Sequence, residues 1–297
     1  MNKLQDSLIF PDSTSTGGGG ESVIGSIIQK KYSLSKEQVD AILAFQKQNR
    51  VKFGEAAVAL GFIRSEDVIW ALSQQFHYPY QSNVANDEVS DSLIVASAPF
   101  SEQAEFFRDV RSDLLMAAFS NPSVSRSLAV TSADSGEGKT YFATNLAVAF
   151  SQLGARTLLI DADMRSPQAQ EVFKIESTVG LSAFLAERAQ PEVLRPIPSI
   201  PTLFVMPVGV KPPNPTELIQ RPSFSFLLEE LHGKFDYIIV DTPALIYGMD
   251  ALMVAARCGV SIALSRRNVT RRTSLETLVS KLSRSPTRFA GVILNNF

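Results

Sequence analysis

Residues 133–140 read Ala-Asp-Ser-Gly-Glu-Gly-Lys-Thr. Glycines at 136 and 138 let backbone N–H groups turn toward phosphate oxygens without a side-chain clash. The segment follows an apolar run, SLAVTSA, and precedes a helical pattern, TYFATNLAVAFSQLG. In that strand–turn–helix setting the amides of the helix N-terminus add positive potential where an anion would sit. The pattern departs from the strict form only in opening with Ala133 instead of glycine. It predicts a triphosphate held by Ser135, Gly136, Glu137, Gly138, Lys139, Thr140 and Tyr141, with Lys139 on the β- and γ-phosphates and the Thr140 hydroxyl on Mg²⁺. ATP and Mg²⁺ are therefore the expected cofactors.

Two acidic strand ends go with this loop. LLIDADMR carries Asp161 and Asp163, with Arg165 just beyond, and IIVDTP ends on Asp241. Residues two apart on a strand share a face, and ligands of open α/β sheets bind outside the carboxyl ends of the strands. All three acids are expected to converge on the metal, with Thr140, Asp163 and Asp241 as its ligands, partly through water.

The elements that must position these groups show in the apolar pattern. Short runs at 127–133, 157–163, 203–209, 237–243, 260–265 and 290–295 alternate with longer helical segments. Continuously apolar strands separated by helices imply a mostly parallel α/β sheet covered by helices on both faces. We expect this domain over 101–297, a connector at 81–100, a small, mainly helical domain over 23–80 and a disordered N-terminal segment over 1–22, where PDSTSTGGGGES reads as a flexible linker.

The helical region is duplicated. VIGSIIQKKYSLSKEQVDAILAFQ (23–46) aligns without gaps to KFGEAAVALGFIRSEDVIWALSQQ (52–75), with Ser35 and Ser65 where helix caps would fall. Each unit reads as a short helix, a turn and a longer helix.

Bulk properties narrow the function classes. The 297 residues carry a formal net charge of −2, so there is no overall drive toward nucleic acid. One cysteine and two histidines leave neither a disulfide framework nor a Cys/His metal cluster. A reducing cytoplasm fits the lone cysteine, and because no apolar run approaches the ~18 residues of a membrane span, a place at the inner face of the cell membrane would need a partner to hold the chain there.

LLIDADMRSP resembles the second acidic motif of bacterial tyrosine kinases and of the related MinD/ParA ATPases. The MinD/ParA loop has an extra lysine where this chain has Asp134, which favours the kinase branch. Glu105-Phe-Phe-Arg108-Asp-Val-Arg111 resembles the kinases' Glu-x-x-Arg-x-x-Arg motif, GVKPPNPTEL their Pro-rich segment and VILNN their last strand. The likeness covers roughly residues 90–297. It implies an ATP-dependent protein-tyrosine kinase of exopolysaccharide chain-length control, activated by a membrane chain-length determinant (a polysaccharide co-polymerase). It further implies a homo-oligomer formed through Glu105, Arg108 and Arg111, Lys139, Asp161 and Asp163 as catalytic groups with Asp161 taking the tyrosine proton, and Asn295 recognising adenine. The alternative is a MinD/ParA-type ATPase switch without kinase activity. The family's usual tyrosine-rich tail has no counterpart among Tyr32, Tyr78, Tyr80, Tyr141, Tyr237 and Tyr247, so no acceptor is assured.

The duplicated unit resembles the N-terminal domain of type II secretion and pilus-assembly ATPases, where such motifs bind cyclic di-GMP in some members. The motif opens Arg-Leu-Gly there; here the openings are Val23-Ile24-Gly25 and Lys52-Phe53-Gly54, while the closing Gln46 and Gln75 remain. Without the planar guanidinium that suits guanine, docking or packing is the preferred role, and cyclic di-GMP the secondary one.

Overall fold

The computed structural model describes residues 19–64, 67–68, 70–71, 74, 89–120, 126–176, 178–187 and 193–296. The chain divides into two units, 1–78 and 79–297.

In the first unit, α1 (Gly19–Tyr32), α2 (Lys36–Asn49) and α3 (Phe53–Ala59) surround Ile28, Leu34, Ile42, Phe53, Ala56, Ala57, Ile63 and Ala71. Ser35 caps α2: its hydroxyl accepts from the amide of Gln38 (3.3 Å), whose side chain accepts from Ser35 N (2.9 Å). Two readings need correction. The helix α1 begins at Gly19, inside the stretch expected as linker, and matches α2 in length. Ser65 and Gln75, and residues 1–18, lie outside the described residues.

The second unit is built on a seven-stranded sheet: β1 (Ser127–Ser132), β2 (Thr157–Asp161), β3 (Arg195–Ile197), β4 (Ile200–Met206), β5 (Tyr237–Asp241), β6 (Gly259–Arg266) and β7 (Arg288–Asn295), in the order β3-β4-β2-β5-β1-β6-β7. Every pairing is parallel except β3 with β4. The sequence pattern missed β3, which has three residues and a proline and so shows no period; its edge position tolerates the missing amide of Pro196.

Side chains alternate between the faces. Leu128, Val130, Leu159 and Ile239 join one core cluster, while Ala129, Leu158, Ile160, Ile238 and Val240 join the other. Both faces of β1, β2, β4, β5 and β6 are covered, which is why those strands read as unbroken apolar runs, whereas the edge strand β7 leaves Val292 and Leu294 exposed. The first face is packed by α4 (Ile94–Ser97), α5 (Glu102–Ala117) and α6 (Lys139–Ser151) and, near the end of β2, by α7 (Ala169–Val172). The second is packed by α8 (Leu181–Leu185), α9 (Pro215–Gln220), α10 (Pro222–His232), α11 (Asp250–Cys258) and α12 (Arg272–Ser283). Ser101 caps α5 through Ala104 N (3.1 Å), and Ala104, Phe107, Val110 and Leu114 form its buried stripe. No helix among the described residues is long and apolar enough to cross a membrane.

The expected connector at 81–100 is corrected over its described part. Val89, Leu93 and Val95 are buried in the core of the second unit. The side chain of Asn145 on α6 accepts from Val95 N (3.0 Å) and donates to Ser92 O (3.0 Å). A single-turn helix shows no periodicity, and its backbone is held here by side chains remote in sequence.

A close backbone crossing fixes the Pro-rich segment. Leu181 N and Ser182 N donate to the carbonyls of Pro207 (2.8 Å) and Val208 (3.0 Å), and Val210 N donates to Thr178 O (3.2 Å). A Cβ on Gly180 would lie 2.1 Å from Pro207 O; one on Gly209, itself at φ +74°, would lie 2.6 Å from Gly180 N. Only glycine fits at either position.

Candidate functional site

The loop between β1 and α6 lies at the carboxyl edge, where β1 connects through α6 on the first face toward β2 while β5 and β6 connect through α11 and α12 on the second face toward β7. Gly136 and Gly138 have φ of +76° and +91°, the left-handed region that turns successive amides the same way. The loop is braced from outside. Glu137 is fully buried, and its carboxylate accepts from Asp134 N (3.1 Å) and from the Thr270 hydroxyl. Arg266 Nη1 donates to Gly136 O (3.3 Å) and Asn295 Nδ2 to Glu137 O (3.1 Å). A Cβ on Gly138 would come within 2.4 Å of Asn295 Nδ2. Thus Glu137 and Asn295 shape the cradle by their side chains, while Ser135 and Gly136 face solvent. Lys139 begins α6 and is 7% exposed.

The carboxylates divide the work differently from the expectation. Parallel register sets Asp161 on β2 directly against Asp241 on β5. The Thr140 hydroxyl donates to Asp241 Oδ2 (2.5 Å), while Oδ1 is buried with no hydrogen-bond partner. Asp161, fully buried, accepts from Asp163 N through Oδ1 (3.0 Å) and from Gln168 N (3.2 Å) and Ala169 N (3.1 Å) through Oδ2. Asp163 lies past the end of β2 and uses Oδ1 for the amides of Arg165 (3.1 Å) and Ser166 (2.9 Å). Three acids therefore do not converge on one metal position. Among the described residues no three His, Cys, Asp or Glu side chains are arranged to hold an ion. The physical reason is backbone demand: the turn at 162–169 exposes amides that need acceptors, and Asp161 supplies both oxygens to them.

Burial first, and the facing Asp241 carboxylate second, push Asp161 well above the ordinary carboxylate range. Asp241 is also raised, by burial, against the opposing pull of Lys139 and the Thr140 hydrogen bond. A small cation would relieve both. Mg²⁺ takes one or two protein oxygens and fills its shell with water and phosphate, so the orphaned Asp241 Oδ1 beside the Thr140 hydroxyl suits it.

Beside the loop, Phe106, Phe107, Tyr141, Phe142, Ile293 and Asn295 line an apolar cavity of about 140 Å³. Tyr141 meets Phe107 edge-on with ring centres 5.9 Å apart.

Arg165, whose role the sequence leaves open, does not reach the acidic pair. Its Nε and Nη2 donate to Asp250 Oδ2 (3.0 and 2.8 Å), and Nη2 also to Thr216 (3.1 Å). This ties the acidic loop to the first turn of α11. Glu105, Arg108 and Arg111 lie on α5, but the arginines are committed within the chain. Arg108 pairs with Glu105 (2.6 Å) and donates to Pro99 O, and Arg111 Nη1 donates to Ala149 O (2.6 Å). Thr270, Arg266, Asp250 and Asn145 were not found from the sequence. Each acts across more than forty residues of chain on a backbone group or one charged partner, which leaves no local pattern.

Residues 128–297 match the family described as the CobQ/CobB/MinD/ParA nucleotide binding domain. The tyrosine-protein kinase CpsD of Streptococcus agalactiae is 34% identical over 192 residues, 64% of this chain and 82% of that protein. Among solved structures, the kinase domain of Escherichia coli tyrosine kinase ETK superposes with a TM-score of 0.65 at 28% identity, covering 69% of this chain and 79% of that one. The septum site-determining protein MinD of Pyrococcus horikoshii, complexed with Mg-ADP, has the same fold at a TM-score of 0.50 and 22% identity, over 58% of this chain and 70% of that chain. The chain belongs to the CobQ/CobB/MinD/ParA nucleotide-binding family, within its branch of bacterial tyrosine-protein kinases.

Proposed function

We propose that this chain is an ATP-dependent protein-tyrosine kinase that regulates exopolysaccharide synthesis with a separate membrane chain-length determinant. The observation that carries the reading is the unpartnered, buried Oδ1 of Asp241 beside the Thr140 hydroxyl, at the foot of the glycine cradle. Phosphoryl transfer asks for positioning and charge neutralisation more than for covalent help, and this arrangement offers both.

In this reading the amides of 135–141 and Lys139 hold the triphosphate. Thr140, Asp163 and Asp241 would hold Mg²⁺, and the ion would offset the charge that builds on the phosphate oxygens. The base enters the cavity of Tyr141 and Phe107, with Asn295 at its rim. Asp161, expected to take the tyrosine proton, has both oxygens committed to amides. We assign it to shaping the turn and give the proton to Asp163, which is 7% exposed and keeps Oδ2 outside that turn. A phenol of pKa near ~10 then loses its proton as the new bond forms.

The location that goes with this role is the cytoplasmic face of the cell membrane, reached through the partner. Homo-oligomerisation would use α5 by way of the exposed Phe106 and Met116, since Glu105, Arg108 and Arg111 are all engaged within the chain. The N-terminal unit is assigned a docking role, with cyclic di-GMP as the ligand to exclude by calorimetry.

Incubation with γ-labelled ATP, Mg²⁺ and a Glu–Tyr copolymer tests the activity. Label on tyrosine, lost by roughly 100-fold or more in Lys139→Ala, is the expected result. Phosphate release without phosphotyrosine would instead support the ATPase switch.

A further inference from the structure

One tyrosine lies where a kinase of this geometry could use it. Tyr247, six residues beyond Asp241, ends a short 3₁₀ turn, Leu245–Tyr247, and is 45% exposed. It lines an open groove of about 330 Å³ with Met164, Arg165, Ser166, Lys211 and Pro213. The opposite wall is thus the stretch that follows Asp163, so the ring stands on the same carboxyl edge as the phosphate cradle.

The other described tyrosines are less available. Tyr237 is buried on β5 against Phe150, with ring centres 4.5 Å apart. Tyr141 is half-buried against Phe107, and Tyr32 donates its hydroxyl to Asp67 (2.6 Å). Tyr78 and Tyr80 lie outside the described residues.

The groove also suits the product. Lys211 is exposed on one wall, and Arg165 is held on the other by Asp250 and Thr216. A phosphotyrosine carries nearly two negative charges and three strong acceptor oxygens, which such cations stabilise.

Resting on the kinase reading above, we propose that Tyr247 is a phosphoacceptor, modified by ATP bound to a second copy of this chain. The donor is a second copy because the turn is anchored: Ile246 N donates to Ala133 O (3.1 Å) and Gly248 N to Leu245 O (3.0 Å). Swinging Tyr247 into its own cradle would break the turn at the root of the phosphate loop. In the transfer, Tyr247 Oη bonds to the γ-phosphorus and the bond from that phosphorus to the β–γ bridging oxygen breaks. ADP leaves with the electron pair, and the phenolic proton passes to Asp163 of the donor copy.

The test mixes affinity-tagged Lys139→Ala chain, as acceptor, with untagged wild type, ATP and Mg²⁺, and maps phosphotyrosine on the tagged chain by peptide mass spectrometry. Asp163→Asn serves as a second inactive acceptor should the first fail to fold. Phosphate at Tyr247 on the tagged chain is expected, and Lys211→Glu in that acceptor lowers its occupancy about threefold. Phosphotyrosine on the copolymer or on other tyrosines, with Tyr247 unmodified on the acceptor, overturns the proposal and leaves the kinase reading standing. Nucleotide binding with no phosphotyrosine on copolymer or chain overturns both.

Discussion

Asp161 and Asp241 stand directly across from one another at the carboxyl ends of β2 and β5, both without exposed surface. Burial raises the cost of charging both, and the carboxylates add to it: Asp241 acts on Asp161, and Asp163 on both. Lys139 and the Thr140 hydroxyl draw on Asp241, while three backbone amides draw on Asp161. The pair is an electrostatic load on the fold, placed where a divalent cation would remove it.

That load gives Asp241→Asn two effects of opposite sign. A carboxylate whose folded pKa lies above its unfolded one destabilises the fold once pH exceeds the unfolded value, so a neutral amide relieves the cost at pH 7. Without nucleotide or metal, the variant should melt ~2–4 °C higher, equivalent to about 1 kcal/mol. With ATP and Mg²⁺ the order reverses, because the variant loses the ligand-linked stabilisation of wild type. Thermal melts in the two conditions check this; a variant less stable than wild type in both would remove the idea.

The Gly180–Gly209 crossing makes a second, purely steric prediction. Gly209→Ala adds a Cβ 2.6 Å from Gly180 N at a positive φ, and the neighbour it meets is backbone, which has no rotamer to change. We expect a loss of about 2–4 kcal/mol in urea unfolding. Gly154→Ala, also at positive φ but with nothing within 4 Å of the added carbon, should cost only the ~1 kcal/mol of the backbone term.

The contrast between these glycines shows how far the sequence could be read. Gly136 and Gly138 fell within a local pattern whose meaning is fixed by their neighbours, and six apolar runs announced strands, five of them buried on both faces and the sixth, β7, an edge strand with Val292 and Leu294 exposed. Nothing local marks Gly180 and Gly209, which meet only after the chain has folded. The same holds for Asp161. Its spacing from Asp163 suggested a shared strand face, but β2 stops at Asp161 and the turn amides claim its oxygens. Arg165 and Asp250 are 85 residues apart, and their pairing could not be inferred from either neighbourhood.

That pairing supports a third prediction. Asp250 is 2% exposed and holds Arg165 Nε and Nη2 on one oxygen, leaving Arg165 30% exposed. Asp250→Asn keeps the volume but removes the charge, which should cost about 1–3 kcal/mol, less than a fully buried pair because water screens the arginine. The freed guanidinium also loosens the turn bearing Asp163, so kcat on the copolymer should fall more than the affinity for ATP. An unchanged kcat at equal folded fraction would limit Arg165 to a structural tie.

The N-terminal unit offers a fourth prediction that can be followed separately, because Trp70 is the only tryptophan of the chain and lies in that unit. Its ring lies 3.3 Å from Lys31 Nζ, measured to the ring centre. Nearby, Asp67 Oδ1 accepts from the Tyr32 hydroxyl (2.6 Å) and Oδ2 from Arg64 N (2.8 Å). Burial pushes the Asp67 carboxyl up, but those bonds and the Arg64 and Lys31 charges outweigh it and leave it lowered. A carboxylate lowered on folding contributes stability that is present above its unfolded pKa near ~3.9 and is lost as pH falls through the folded value. The Trp70 emission transition in urea should therefore move to lower denaturant between pH 6 and about pH 3, while Tyr32→Phe, lacking the hydroxyl that holds Asp67 low, should show a smaller shift over the same range. Equal shifts in the two proteins would mean that the acid sensitivity of this unit comes from elsewhere in the helices.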